Sequence, residues 1–590
     1  MGKFAIKGFG GEVPRKDPRE LPDNMAEQAV NVDLASGPLD GLRTPVRIID
    51  LSAAASVVQR AYRIPNPTVG GQDTWLPLPS PFSSVVRSPL TNDTQSRVYW
   101  TNPNDGAYWN TFKRIFDGNV GLNRPYNLGM IYPDPTVGPT VAAVGGTVGV
   151  PLVARSYVYT YMDSFGQESA PSAPSPVKSG LPDAVWTVSG LPTALPTNPA
   201  GKNYPALTGF WIYRTIVGVT SGANFYRVAF IPLPAGGPTY VDTTLDTSIV
   251  GNLTLISASW ANPPAGLDGL TSMPGGMLVG FTGNTLHFCE PNRPHTWPAG
   301  YDASVAYPIV ALAVWQQSLM VLTQGFPSSG TGSTPANFTL STVQVPEPCI
   351  ARGSVVVDLM GVYYASSNGL IMLNYFGMQN QTLVNFTRSD WNVDYKAGNV
   401  IACRHRAQYL ALNTDGTGTG FILDYTEARM GAVKLSNLAQ ATCIWNDAYT
   451  GDTYICSSKA IYLWDNPGSA PLPWRWRSKQ FFLAMPENFG ACHVQLTEDV
   501  YNVAPNPLTL IPLSNNDPSL TLPPGINAQF RWWIGPAQHR VPFVHNMTKR
   551  EEIFRLPSGI KDHTVQFEIV ARVGVHSVEI ATTMMELKSV

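Results

Sequence analysis

The chain has 590 residues, of which 14% are charged and 44% hydrophobic, with 52 glycines, 52 prolines and a formal net charge of −2. One hydrophobic core organises at most about 250–300 residues, so on the order of three or four domains are expected. The apolar and aromatic content excludes a disordered chain. The balance of 39 Lys and Arg against 41 Asp and Glu excludes the strong basic field that grips nucleic acid. Low charge suits a subunit with much of its surface against other protein.

The first 45 residues read as an extended arm and a first strand. They include Gly10-Gly11-Glu12-Val13-Pro14-Arg15, Asp17-Pro18-Arg19, Leu21-Pro22-Asp23, Ala26, Ala29, Asn31-Val32-Asp33-Leu34 and Ser36-Gly37-Pro38-Leu39. Pro14, Pro18, Pro22 and Pro38 forbid a continuous helix, and each biases its predecessor toward extended backbone. Asn24–Asn31 is a short helix candidate, and Ser36-Gly37-Pro38 is a turn. Such an arm is either a loosely held surface tail or a segment docked on a partner or on the rest of the chain. The string resembles the amino terminus of bacteriophage tail nozzle and related tail-tube proteins of short-tailed phages. There a GG-x-x-P-R-x-D-P-R-x-L-P-D-x-x-A-x-x-A-x-N-V-D-L-x-S-G-x-L pattern recurs, and the match is long and nearly ungapped. The resemblance favours an arm docked on a neighbouring subunit.

Residues 46–136 read as a first blade region around Ser84–Trp109, with Arg97-Val98-Tyr99-Trp100 as a strand and Trp109–Phe116 as a second helix candidate. Residues 137–264 then carry strands at Arg155–Asp163, Gly209–Arg214, Asn224–Ile231 and Thr239–Thr243, with a proline-rich insertion at Val188–Pro205. The set predicts a fibronectin type III or immunoglobulin-like sandwich, with Tyr159, Trp211 and Tyr226 in its core, folding as an autonomous insertion. Its Y-x-Y-x-x-x-D-x-x-G-x-E-S-x-P-S string, Tyr157 to Ser172, resembles modules embedded in phage tail proteins.

Five later units each pair two apolar strands across a turn: Met277–Glu290, Ile309–Gln324, Ser354–Tyr375, Val400–Tyr425 and Ala441–Trp464. Their starts lie 32, 45, 46 and 41 residues apart, close to the roughly 40–45-residue period of β-propeller blades. The fold class that follows is mostly β: a β-propeller with blades over residues 265–482, an inserted sandwich and an extended N-terminal arm. Unrelated hairpins in one large sandwich are the competing reading. Residues 483–590 form a C-terminal β region with a long loop at Asn502–Pro524 and strands at Val565–Ala571 and Val575–Thr582. The segment Phe554–Gly559 with that final pair is also similar to the carboxy terminus of the nozzle family.

Residues that would carry chemistry are scarce, and no catalytic, cofactor-binding or metal-binding residue is assigned. His539 and His545 are badly spaced for one metal, and the six cysteines, Cys289, Cys349, Cys403, Cys443, Cys456 and Cys492, contain no C-x-x-C pair. They are expected to be buried free thiols, made in a reducing cytosol. Gly325–Thr334 lacks the lysine of a phosphate loop. Asn413–Gly418 offers one carboxylate, too few for calcium, and reads as a hairpin turn. Trp474-Arg475-Trp476-Arg477 and Arg531-Trp532-Trp533 either stack sugars or bases or anchor packing and interfaces. Met1-Gly2-Lys3 leads into no signal peptide, and no stretch of 18 apolar residues spans a membrane.

The resemblance implies a structural virion protein: the tail nozzle of a short-tailed phage, synthesised in the host bacterial cytoplasm. It implies a homo-oligomeric, hexameric ring below the portal and adaptor, contacts with tail fibre or tip proteins, and transient passage of double-stranded DNA. No cofactor and no enzymatic activity are expected. The lumen is expected to be polar and no more basic than acidic, with Gly325–Asn337 and Asn502–Pro524 as its loops. The alternative, of a different class, is a virion-associated receptor-binding or glycan-degrading propeller. The acid pair such an enzyme needs cannot be picked out from 41 acidic residues.

Overall fold

The computed structural model describes residues 3–35, 37–52, 58–66, 71–117, 124–216, 224–234, 237–424, 431–438, 440–498, 517–535, 541–557 and 559–588. Its centre is a β-propeller. Six antiparallel blades begin with the strands Ser84–Arg87, Asp268–Met273, Ile309–Trp315, Val356–Asp358, Val400–His405 and Cys443–Asn446. We number them blades 1 to 6. In blades 1 to 5 the later strands step outward in sequence order.

The middle strands explain the sequence pattern. Ser318–Thr323, Gly361–Ser366 and Gln408–Asn413 are buried at every position. Both faces of such a strand are covered by neighbouring blades, so it reads as an unbroken apolar run instead of an alternation. Successive residues serve opposite neighbours. Leu319 and Val321 pack toward blade 2, and Met320 and Leu322 toward blade 4.

A two-stranded hairpin, Arg60–Ile64 with Thr74–Leu78, is wedged between blades 6 and 1. Ala61 and Trp75 pack on Cys443, Trp445 and Tyr454 of blade 6. Tyr62, Leu76 and Leu78 pack on Val98 and Trp100 of blade 1. The ring therefore has seven places, the seventh held by half a blade. Blade 6 is completed by the strand Val46–Asp50, with Ile49 opposite Ile461. Residues 46–136 are thus not one blade. They give the last blade its outer strand, then the wedge, then blade 1.

Between Tyr126–Asn127, the outer strand of blade 1, and blade 2 lies a β-sandwich. A three-stranded sheet, Thr140–Val144, Val185–Ser189 and Thr239–Asp242, faces a four-stranded one, Glu168–Pro171, Tyr157–Asp163, Leu207–Thr215 and Phe225–Pro232. Tyr157, Tyr159, Trp186, Val188, Phe210 and Ile212 fill its core. Trp186 holds the centre that the sequence assigned to Trp211. Trp211 is on the outer side of its strand, against Phe230 and under the Arg227 guanidinium. Tyr226 is likewise only half-buried.

The C-terminal region is a second sandwich, and the chain's start is woven into it. Lys3–Ile6 pairs with Val575–Ala581 at the edge of one sheet. Ala26–Val30 pairs antiparallel with Trp474–Ser478 in the other. Val30 also bridges Lys434, in the outer strand of blade 5, so one continuous sheet runs from that blade into the C-terminal sandwich. The segment expected as helix Asn24–Asn31 is therefore a strand, because tertiary pairing overrides local propensity. Of Trp109–Phe116, only Phe112–Phe116 is helical, and Trp109 ends up in the strand Gly106–Thr111.

The arm docks on its own chain. Phe9 meets Trp476 edge-on at 5.1 Å. The Trp476 indole donates to the Gly10 carbonyl at 2.9 Å. Gly11 lies so close to Ala432 that a Cβ there would meet its carbonyl oxygen at 2.7 Å. Asn31 adopts φ 56°. Its side-chain amide donates to Ser436 O and Pro473 O, and its carbonyl accepts from Ser436 N at 2.9 Å. One asparagine thus ties the end of blade 5 to the start of the C-terminal sheet.

Candidate functional site

The inner strands enclose a bore of about 580 Å³. Its wall comes from all six blades: Val85 and Val86, Leu270 and Thr271, Ala311 to Val314, Val355 to Val357, Ile401 to Arg404, and Cys443 to Asn446. Among the described residues the wall contains no Asp, Glu, Lys or His, and its formal charges are Arg60, Arg352 and Arg404. Two of these are committed. Arg352 donates to both oxygens of Asp268, at 2.9 Å to Oδ1. Arg404 Nε stands 2.8 Å from Asp358 Oδ1. Arg60 donates from Nη1 to the Ser83 carbonyl at 2.5 Å, and no carboxylate pairs with it among the described residues. Its Nε is buried without a hydrogen-bond partner.

A bore of this volume is that of a small-molecule pocket. That volume is far less than even one turn of duplex DNA occupies.

The motifs singled out in the sequence fall elsewhere. Trp474 and Trp476 are fully buried in the C-terminal core, so neither ring is open for stacking. Arg477 and Arg531 converge on the buried Glu568, at 2.7 and 2.8 Å. Trp532 and Trp533 are buried too. His545 stacks on Phe554 at 3.9 Å and bonds Glu552; His539 lies outside the described residues. Gly325–Asn337, expected as a lumen loop, is instead the third strand of blade 3, Ser328–Thr331, followed by a tight turn at Pro335–Asn337. Of Asn502–Pro524, residues 502–516 lie outside the described residues. Asn413–Gly418 is the turn between two strands of blade 5, where Asp415 pairs with Lys396 at 2.5 Å. All six cysteines are buried and unpaired. Among the described residues no group of His, Cys, Asp or Glu suits a metal, and no helix is long and apolar enough to cross a membrane.

Three arrangements escaped the sequence reading, one inside blade 2 and two on the surface. Thr282, His287 and Asp302 line up as hydroxyl, imidazole and carboxylate at 2.7 and 2.8 Å. The three come from successive segments of blade 2, and they staple that blade internally. The second is an apolar tip on blade 4. Leu359, Met360, Tyr375 and Phe376 are 77%, 62%, 56% and 80% exposed, at two turns held together by Asn374 Nδ2 donating to Met360 O at 2.9 Å. The sandwich adds a charge-free outer sheet face of Ala142, Val144, Val185, Thr187 and Val241. Neither surface had a sequence signal beyond low overall charge, because side-chain direction depends on register.

No known protein family matches this chain, and no curated protein does. Solved structures with partial likeness include the WD40 domain of Neurospora crassa Pan2, at 11% identity over 50% of this chain and 86% of that one, with a TM-score of 0.25. PorZ, a bacterial surface component of the type-IX secretion system of Porphyromonas gingivalis, is 9% identical over 82% of this chain and 62% of its own, with a TM-score of 0.24. A glycoside hydrolase is 10% identical over 76% of this chain and 98% of its own, with a TM-score of 0.12. At such scores none bears on function, and the propeller assignment rests on the sheet topology above.

Proposed function

We propose that this chain is a structural virion protein, the tail nozzle of a short-tailed bacteriophage. It assembles as a hexameric ring below the portal and adaptor and lets double-stranded DNA pass during ejection. The observation that carries the reading is the amino-terminal string together with what its residues do. Gly11, Glu12 and Asn31 each occupy a place that other side chains would disrupt: a backbone contact, a buried carboxylate site and a left-handed hub. The string is thus tied to one way of joining a propeller to a C-terminal sandwich, which supports reading its long resemblance to the nozzle pattern as more than chance.

The propeller bore is too small for a duplex, so the conduit lies between copies. The apolar tip of blade 4 and the charge-free sandwich face fit contacts with further copies and with fibre or tip proteins, since exposed apolar patches mark interaction sites. No enzymatic activity is assigned. Glycan hydrolysis needs two facing carboxylates, and among the described residues the bore wall supplies none.

Electron microscopy of the purified full chain tests the proposal. Rings with a channel wide enough for duplex DNA are expected, together with no better than weak binding of duplex DNA at physiological salt. A protein that stays monomeric at all concentrations and cleaves or tightly binds a surface glycan would overturn it.

A further inference from the structure

We infer that the propeller bore is a binding site for a small multivalent oxyanion, a phosphate or polycarboxylate, held by the guanidinium of Arg60 next to the Asp268-paired Arg352. This does not depend on the nozzle reading. Arg60 Nη1 donates to Ser83 O at 2.5 Å and Arg352 Nη2 to Phe82 O at 3.2 Å. Two cations therefore sit on consecutive carbonyls where the bore meets the turn before blade 1. Arg352 is neutralised by Asp268; Arg60 has no carboxylate partner among the described residues. Its Nε is buried without an acceptor although the side chain as a whole is only half-buried, and an uncompensated buried donor is costly.

The place is set by the incomplete seventh position of the ring. A full blade would bring an inner strand to the axis there. The wedge hairpin brings Arg60 instead, with Pro81 and Phe82 beside it. The rest of the wall is aliphatic or neutral apart from Arg404, which Asp358 holds. Wall and counter-charges together thus leave one unmatched positive charge facing the bore, where partial enclosure screens its pull on an anion less than bulk water does. Carboxylate and phosphate oxygens match the planar fork of a guanidinium. A volume of about 580 Å³ accommodates a ligand of the size of citrate or a phosphate ester.

Isothermal titration calorimetry on the full chain at low ionic strength tests this. Sodium phosphate and sodium citrate are titrated separately, with sodium chloride at matched ionic strength as the control. One-site saturable binding of phosphate, citrate or both is expected, with the tighter of the two naming the ligand chemistry. Chloride should not reproduce it. Arg60→Gln should weaken binding about tenfold or more, and Arg60→Lys, which keeps the charge without the fork, should weaken it less. If neither anion binds saturably to the unmodified chain, the inference fails whether or not the variants fold. It also fails if chloride matches the anions, or if a folded Arg60→Gln variant binds as well as the parent.

Discussion

The inserted sandwich and the amino-terminal segment are opposite solutions to the same problem. The sandwich keeps its partners close in sequence: Tyr157, Trp186 and Phe210 share one core inside residues 137–264. The amino-terminal segment has no core of its own. Its residues are divided among other elements: Ile6 and Phe9 in the C-terminal core, Ala29 and Val32 beside Trp476 and Leu435, and Val46–Asp50 in blade 6. The sandwich core is therefore mostly local in sequence, with Met130, Ile131 and Tyr132 added from just before it, whereas the segment is a seam whose loss should open several sheets at once.

Deleting residues 1–34 is the harshest test of that contrast. It removes three strands, Lys3–Ile6, Ala26–Val30 and Val32–Asp33, and leaves Trp476 and Ala432 facing water. The expected outcome is loss of cooperative unfolding of propeller and C-terminal sandwich together, read by calorimetry and solubility. Trp186→Ala should act more locally. It should cost about 3–5 kcal/mol, typical of removing a buried tryptophan, and lower the transition of the sandwich while the rest of the chain unfolds as before. A common shift of all transitions would show that the sandwich is not independent.

Glu12 sharpens the comparison at one residue. Its carboxylate accepts from Ala29 N at 2.8 Å and from the Tyr395 hydroxyl at 3.1 Å, with Lys434 Nζ at 3.3 Å. Glu12→Ala should cost about 2–3 kcal/mol by leaving buried donors unmatched. Burial raises its pKa above the ordinary 4.5, outweighing Lys434 and the hydrogen bonds that pull it down. The folded state then holds a proton that the unfolded chain has released. Stability should fall as pH rises from 4.5 through the folded value, and Glu12→Gln should flatten that slope in denaturant titrations.

Asp415 should show the reverse sign and the smallest effect. Burial pushes its pKa up, but Lys396 and the Thr417 hydrogen bonds win and take it down to about 2. Its stabilisation is present above the ordinary 3.8 and is lost as pH falls toward about 2. The pair is partly solvated, with Lys396 38% exposed, so Asp415→Asn should cost less than about 1 kcal/mol.

What the sequence revealed follows the same division. Blades 2 to 6 were legible because each is a hairpin pair whose apolar runs are contiguous, and the sandwich was legible for the same reason. Pairings across the chain were not. Nothing in Val46–Asp50 says that it completes a blade some 400 residues on, where Ile49 meets Ile461. The short helix expected at Asn24–Asn31 failed because Ala26–Val30 is shaped by Trp474–Ser478 and by blade 5. The bore residues were equally hidden. Arg60 is an ordinary arginine in the sequence, and only ring closure at a half-filled place turns it toward the axis.

Hydrogen exchange with mass spectrometry on the full chain tests the seam most directly. Amides in Lys3–Ile6 and Ala26–Val30 should be protected as strongly as those in Trp474–Ser478 and Asp562–Ala571, and should open with them. The sandwich should open separately. Rapid exchange of the amino-terminal strands while the C-terminal sheets stay protected would contradict the account, because the start of the chain would then be a loose arm and not the join between its two largest parts.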